Sequence, residues 1–208
     1  MDEDELISTS TKRPVFKKGR KKYELVVIGG SAGSIDAVLK ILKNLRADFA
    51  IPIIIVLHRK ASHEEFFVSI FQKKTALKVK EAEGHETILP GFIYVVPSDY
   101  HLLIEDDKTL TLDVSEKVNY SRPSIDITLE CAADVFKERL IGVILTGANA
   151  DGAKGLARIK SQSGFAIVQN PATAEVDTMP KEAIKSTAVD HILELEDIAR
   201  FLNGIDAR

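Results

Sequence analysis

The sequence predicts a doubly wound α/β domain: a mostly parallel sheet with helices on both faces and one antiparallel hairpin. Three observations predict it. Continuous apolar runs recur, among them "VVIGG", "IPIIIVL" and "IGVIL", and a strand that is apolar on both sides is buried between two layers. Segments with apolar residues at helical spacing separate these runs. The alternation of strand and helix continues to the end of the chain, as parallel strands joined by crossover helices require.

Residues 1–22 stand apart. "MDEDE" is acidic and "TKRPVFKKGRKK" is basic, and neither holds enough apolar surface to offset the entropy lost on ordering. They are expected to form a flexible charged arm, with residues 23–208 as the folded domain. From Tyr23, "YELVVIG" reads as a buried strand. "SIDAVLKILKNL" reads as a helix with its apolar stripe on Ile35, Val38, Leu39, Ile41, Leu42 and Leu45. "IPIIIVLH" is a second strand and "HEEFFVSIFQKK" a second helix. "GFIYVVP" is a strand; "HLLIE" and "LTLDV" flank Asp106-Asp107-Lys108 as a hairpin. "SIDITLECAADVFKERL" is a helix with Ser124 as its N-cap. Then come strand "IGVILTG", helix "DGAKGLARIKSQ", strand "GFAIVQN", short helix "MPKEAIKST", short strand "HILEL" and closing helix "LEDIARFLN".

Composition narrows the function classes. Lys and Arg total 28 against 31 Asp and Glu, a net charge of −3, which gives no general attraction to nucleic acid or anionic membrane. The single cysteine, Cys131, excludes an internal disulfide and suits a reducing compartment. No apolar run approaches the roughly 20 residues that span a bilayer, and the charged N-terminus is not a secretory signal. A cytoplasmic location is expected. The five histidines show no His-x3-His or Cys/His pairing, so neither a metal nor a cofactor is expected.

In parallel sheets, ligands gather beyond the carboxyl ends of the strands. The candidate loops are Gly29–Ser34, His58–Ser62, Thr146–Gly152 and Gln169–Met179. The first raises three readings. A glycine-rich turn before a helix exposes N–H groups to a phosphate, but Ser31 and Ser34 break the dinucleotide fingerprint and Ile35 breaks the P-loop pattern. Ser31 or Ser34 caps the helix in the second reading. In the third, Gly29-Gly30-Ser31-Ala32-Gly33 is a G-x-S-x-G nucleophile turn between strand and helix. A serine nucleophile needs a base and the base an orienting acid. If the next strand is adjacent, its end puts His58 on the same edge, and "LTGANADG" puts Asp151 there, which by itself also suits an N-cap. His191 lies in a short apolar strand and reads as structural. Ser–His–acid order, with the turn opening the domain, departs from ordinary α/β-hydrolases.

Together, "VVIGGSAGS", "VLHR", "VVPSDYHLLIE", "YSRPSIDITLECAADVF", "GVILTGANADGAKGL", "IVQNPATAEVDTMPKEAI" and "VDHILELEDIARFLN" resemble the catalytic domain of CheB-type chemotaxis protein-glutamate methylesterases, from about residue 23 to 203. The resemblance implies a serine hydrolase that removes methyl groups from glutamate γ-esters on chemoreceptor helices, releasing methanol; some members also deamidate receptor glutamines. It implies Ser31 as nucleophile, His58 as base and Asp151 as orienter. It implies methyl-accepting receptor cytoplasmic helices and a chemotaxis methyltransferase as partners, with no nucleic acid and no membrane insertion. The usual N-terminal receiver domain is not expected here, and Gly33-Ser34, Ala148-Asn149 and "LHR" depart from the common pattern. A non-catalytic receptor-binding scaffold of the same fold is the alternative. Arg122 reads as either a cleft residue or a loop salt bridge, His101 as either a neighbour of the site or an exposed hairpin residue, Met179-Pro180 as a structural helix start and Cys131 as core.

Overall fold

A computed structural model describes residues 22–59 and 64–205, with backbone alone for residues 64–66. The charged arm except Lys22, the far side of the His58–Ser62 loop and His63 lie outside the described residues. The chain runs β1 Leu25–Gly30, α1 Ser34–Lys43, β2 Ile53–Leu57, α2 Glu64–Gln72, β3 Lys78–Glu81, β4 Phe92–Val95, β5 His101–Ile104, β6 Leu110–Asp113, α3 Ile125–Phe136, β7 Leu140–Ile144, α4 Ala153–Ser161, β8 Phe165–Gln169, α5 Thr178–Ser186, β9 His191–Leu193 and α6 Leu195–Ile205.

Seven strands form one parallel sheet in the order β3-β4-β2-β1-β7-β8-β9. The first strand of the chain is therefore central. Alternating residues of β1 feed two cores. Val26 and Ile28 pack with α1 and α6 residues such as Val38, Ile41, Ile198 and Leu202. Leu25 and Val27 pack with α3 and α4 residues such as Leu129, Ala133 and Leu156. Both faces being covered is why the strand is apolar at every position. Each such Ile, Leu or Val adds about 1.5–3 kcal/mol over an exposed one.

The antiparallel hairpin β5–β6 forms as expected, with His101 opposite Asp113, but as a separate two-stranded sheet beside α3. β3 was not anticipated. "KVKE" carries charges at three of four positions, so it lacks the apolar run of its neighbours. It is an edge strand, where charge is tolerated and discourages pairing with another chain. The connections leaving β1 go to β2 on one side, and the chain returns as β7 on the other. This reversal opens a crevice at the carboxyl ends of β1, β2 and β7.

Candidate active site

Ser31 follows the last residue of β1. Its N–H donates to the Thr146 carbonyl at 2.9 Å, which extends the β1–β7 ladder one residue past the strands. On the other side, the His58 N–H donates to the Gly30 carbonyl at 3.1 Å. Ser31 thus sits between the strand ends that carry His58 and Thr146. It does not cap α1. The N-cap is Gly33, with φ of 76° and no side-chain cap bond, while the Ser34 N–H and Oγ both donate to the Ser31 carbonyl. The capping reading fails for Ser31 because the turn is closed by its backbone and by Ser34. At Gly33 the left-handed backbone favours glycine, and a Cβ there would lie 2.7 Å from that of Glu175.

His58 extends beyond β2 with its side chain 10% exposed, and Asp151 is wholly buried. His58 Nε2 lies 2.7 Å from Asp151 Oδ2. Asp151 is not the N-cap of the helix that follows it, because that place belongs to Gly152. Its carboxylate instead caps the start of α3. Oδ2 accepts the Ile125 N–H at 2.7 Å, and Oδ1 accepts the Asp126 N–H at 3.1 Å and the Ser124 hydroxyl at 3.0 Å. Ser124 is the N-cap of α3, as its sequence position suggests. Close packing makes this reach possible: a Cβ on Gly29 would fall 2.4 Å from Ile125 Cγ2, so only glycine lets the first turn of α3 approach β1.

Burial alone pushes the Asp151 carboxyl up. Hydrogen bonds from His58 and from the N–H groups of Ile125 and Asp126 outweigh it and hold the group at about 2. The anion also sits at the positive end of α3. An ionised Asp151 accepts only, so His58 Nε2 carries the proton and Nδ1 presents its lone pair. That nitrogen lies 3.3 Å from Asn149 Nδ2 and 3.4 Å from Ser121 Oγ. Among the described residues Ser31 Oγ makes no hydrogen bond to His58; the two share the edge without being joined. A second buried carboxylate, Asp126, accepts the Gly155 N–H at 2.8 Å. Burial and the charge of Asp151 push it up to about 6. Asn119 Nδ2 lies 3.3 Å from Asp126 and 3.4 Å from Asp151, between the two.

Thr146 ties the surrounding loops together. Its hydroxyl donates to the Ala32 carbonyl at 2.9 Å and accepts the Val176 N–H at 2.9 Å, while its own N–H donates to Gln169 Oε1 at 2.9 Å. Among the described residues, the N–H groups of Ala32 and Ala148 donate to no protein acceptor. An open cleft of about 440 Å³ adjoins His58, with Arg59, Asp99, Lys117, Tyr120 and Arg122 in its lining. Arg122 is a cleft residue and, among the described residues, forms no salt bridge: its Nη1 donates to the Val114 and Ser115 carbonyls at 2.5 and 2.7 Å.

His101 corrects the expectation of exposure. It is fully buried; its Nδ1 accepts the Ser124 N–H and its Nε2 lies 3.0 Å from the Glu116 carbonyl. It braces the start of α3, whose Ser124 in turn donates to Asp151. His191 packs edge-on against Phe165 and Phe201 on the far strand β9, as a structural residue does. Met179 is buried and meets Gly147, and Cys131 is half-buried against the second core. Thr146, Gln169, Asn119 and Ser121 escaped sequence reasoning. Thr146 and Gln169 open loops already suspected, whereas Asn119 and Ser121 lie in the segment between β6 and α3, outside the candidate loops, and polar loop residues carry no periodic signal of their partners. Among the described residues no group of three or more metal-ligating side chains gathers, and no helix is long and apolar enough to cross a membrane.

Comparison with known proteins accounts for this architecture. A Leptospira interrogans protein, provisionally named protein-glutamate methylesterase/protein-glutamine glutaminase, is 50% identical over 184 residues, covering 88% of this chain and 95% of its own. A Thermotoga maritima protein-glutamate methylesterase/protein-glutamine glutaminase is 35% identical over 191 residues, covering 90% of this chain but 56% of that longer protein. The crystal structure of the Thermotoga maritima CheB methylesterase catalytic domain superposes with a TM-score of 0.83 at 36% identity, over 88% of this chain and 98% of that domain. The family model for CheB methylesterases spans residues 26–202, the stretch that carries the central strands, both cores and the paired His58 and Asp151, and the chain accordingly belongs to the CheB methylesterase family.

Proposed function

We propose that the chain is a protein-glutamate methylesterase that hydrolyses glutamate γ-methyl esters on chemoreceptor helices, with Ser31 as nucleophile, His58 as base and Asp151 as its orienter. The observation that carries this is the 2.7 Å His58–Asp151 pair, buried on the sheet edge that also presents Ser31. The names of the relatives support the substrate class. Ser31 Oγ attacks the γ-carbonyl while His58 Nδ1 takes its proton. The N–H groups of Ala32 and Ala148 receive the negative charge that develops on the carbonyl oxygen. As the tetrahedral centre collapses, the C–OCH3 bond breaks and Nδ1 returns the proton to the leaving oxygen, giving methanol and a glutamyl ester of Ser31. Water then adds to that ester, passing a proton through Nδ1 back to Ser31 Oγ, and glutamate is released. A receptor glutamine passes through the same steps with ammonia leaving.

The reaction needs no cofactor, and a lysine and two arginines in the cleft lining suit a substrate helix with carboxylates beside its ester. Methylated receptor incubated with the protein is expected to yield methanol, and Ser31→Ala is expected to lower the rate by several orders of magnitude. Because Ser31 caps no helix, its loss leaves the unfolding temperature unchanged. Native turnover in Ser31→Ala would remove Ser31 as the nucleophile, whereas absence of methanol release together with failure of Ser31 to react with a serine-directed covalent inhibitor would turn the reading to a receptor-binding scaffold.

A further inference from the structure

We propose that Asn149 is a positioning residue that selects Nδ1 of His58 as the proton-accepting nitrogen; the proposal rests on the triad reading above. The orientation of the Asn149 amide is fixed by its own neighbour. Its Oδ1 accepts the Asp151 N–H at 3.1 Å, so its NH2 is the end that faces the ring, 3.3 Å from Nδ1. An NH2 group donates and cannot accept. It therefore fits a ring whose Nδ1 is bare and opposes one whose Nδ1 carries hydrogen. On the other side Asp151 accepts from Nε2. The two contacts agree on one tautomer, with the proton on Nε2 and the lone pair on Nδ1.

Ser121 Oγ lies 3.4 Å from the same nitrogen and serves as a second weak donor. Both contacts are longer than the ~2.9–3.0 Å of a typical N–H···O bond. They hold the lone pair in place without binding it so tightly that a serine hydroxyl fails to displace them. The resting site fits this description, since Ser31 is not bonded to His58. The other charged groups around the ring are Arg59, Asp99, Lys117 and Arg122 in the cleft lining, and Asp126, which is linked to Asp151 through Asn119. None of them has a hydrogen bond to Nδ1, and all are kept in the substitutions below.

The informative change is Asn149→Asp, which keeps the shape and replaces the donor facing Nδ1 by an acceptor. With a carboxylate at each end the ring holds two protons. On a small activated ester, kcat/KM at neutral pH is expected to fall at least ~10-fold, with the acid limb of its pH profile moved up by about one unit or more. Nitrogen NMR of the ring is expected to show a bare Nδ1 in the native protein and protons on both nitrogens in the variant at the same pH. Asn149→Ala, which removes the donor without adding an acceptor, is expected to shift both readouts the same way by less, and it carries the test if Asn149→Asp does not fold. Native ring shifts and a native pH profile in a folded Asn149→Asp protein overturn the proposal. The ring shifts need no turnover, so they are separate from the triad itself, which fails if Ser31→Ala keeps the native rate.

Discussion

Replacing Asp151 by Asn keeps the side chain's shape and removes its charge. The carboxylate faces five donors: His58 Nε2–H and the Ile125 N–H on one oxygen, and the Asp126 N–H, the Ser124 hydroxyl and the Asn119 amide on the other. An amide offers one oxygen, so in either orientation its NH2 meets at least two donors. The Asp151 carboxyl sits at about 2, against 3.8 for its solvated counterpart, a gap equivalent to about 2–3 kcal/mol of folded-state preference for the ionised form. Because the folded value is the depressed one, this stabilisation is present above 3.8 and is lost as the pH falls toward 2. At neutral pH the variant should unfold about 5–10 °C below the native protein. The difference should narrow in acid between about pH 4 and about pH 2. Turnover of a methyl glutamate ester should fall by about 10³- to 10⁴-fold, mainly in kcat, because His58 loses the partner that fixes its tautomer. Thermal unfolding monitored across pH, paired with methanol release, makes the measurement. A variant with native kcat and a native midpoint at pH 7 would refute both halves of the reasoning.

The neighbouring carboxylate should behave in the opposite sense. The folded value of Asp126 is raised to about 6 from 3.8, so its charge costs stability as the pH rises through that interval. Asp126→Asn keeps an oxygen for the Gly155 N–H and should raise the midpoint at neutral pH by about 5 °C, an advantage that fades below about pH 4; a variant less stable than native at pH 7 would contradict this. Thr146→Val leaves the Ala32 carbonyl and the Val176 N–H without their hydroxyl partner in a buried place. It should cost about 1–3 kcal/mol and lower kcat more than KM, since Ala32 belongs to the turn proposed to receive the anion. Unchanged kcat with a lowered midpoint would confine Thr146 to a structural role.

Much of this was legible from the residues alone, because the central strands are buried on both faces and their apolar runs say so. Ser31, His58 and Asp151 followed from strand ends falling on one edge. The parts that were not legible depend on distance in space. Asp151 reads locally as the cap of α4 and in fact caps α3, which precedes it in sequence; nothing within its own loop reveals that. His101 reads as an exposed hairpin residue, yet the hairpin folds down onto α3 and buries it. β3 hides because an edge strand has one neighbour and tolerates lysine. Gly33 takes the N-cap that a serine was expected to fill, because the turn needs a left-handed backbone more than it needs a side-chain acceptor.

The pairing of Leu25 with Leu140 has a consequence for how activity is acquired. β1 and β2 are local partners and meet early, but β1 gains its second neighbour only after α3 has been made, and long-range pairings of this kind are the slow ones. Until β7 docks, His58 has no Asp151 opposite it and Ser31 has no Thr146 carbonyl for its amide. On the ribosome, then, esterase competence arrives late and all at once. During refolding, regain of turnover should lag behind regain of helix and coincide with closure of the sheet's centre, which makes the enzyme a reporter of its own last non-local contact.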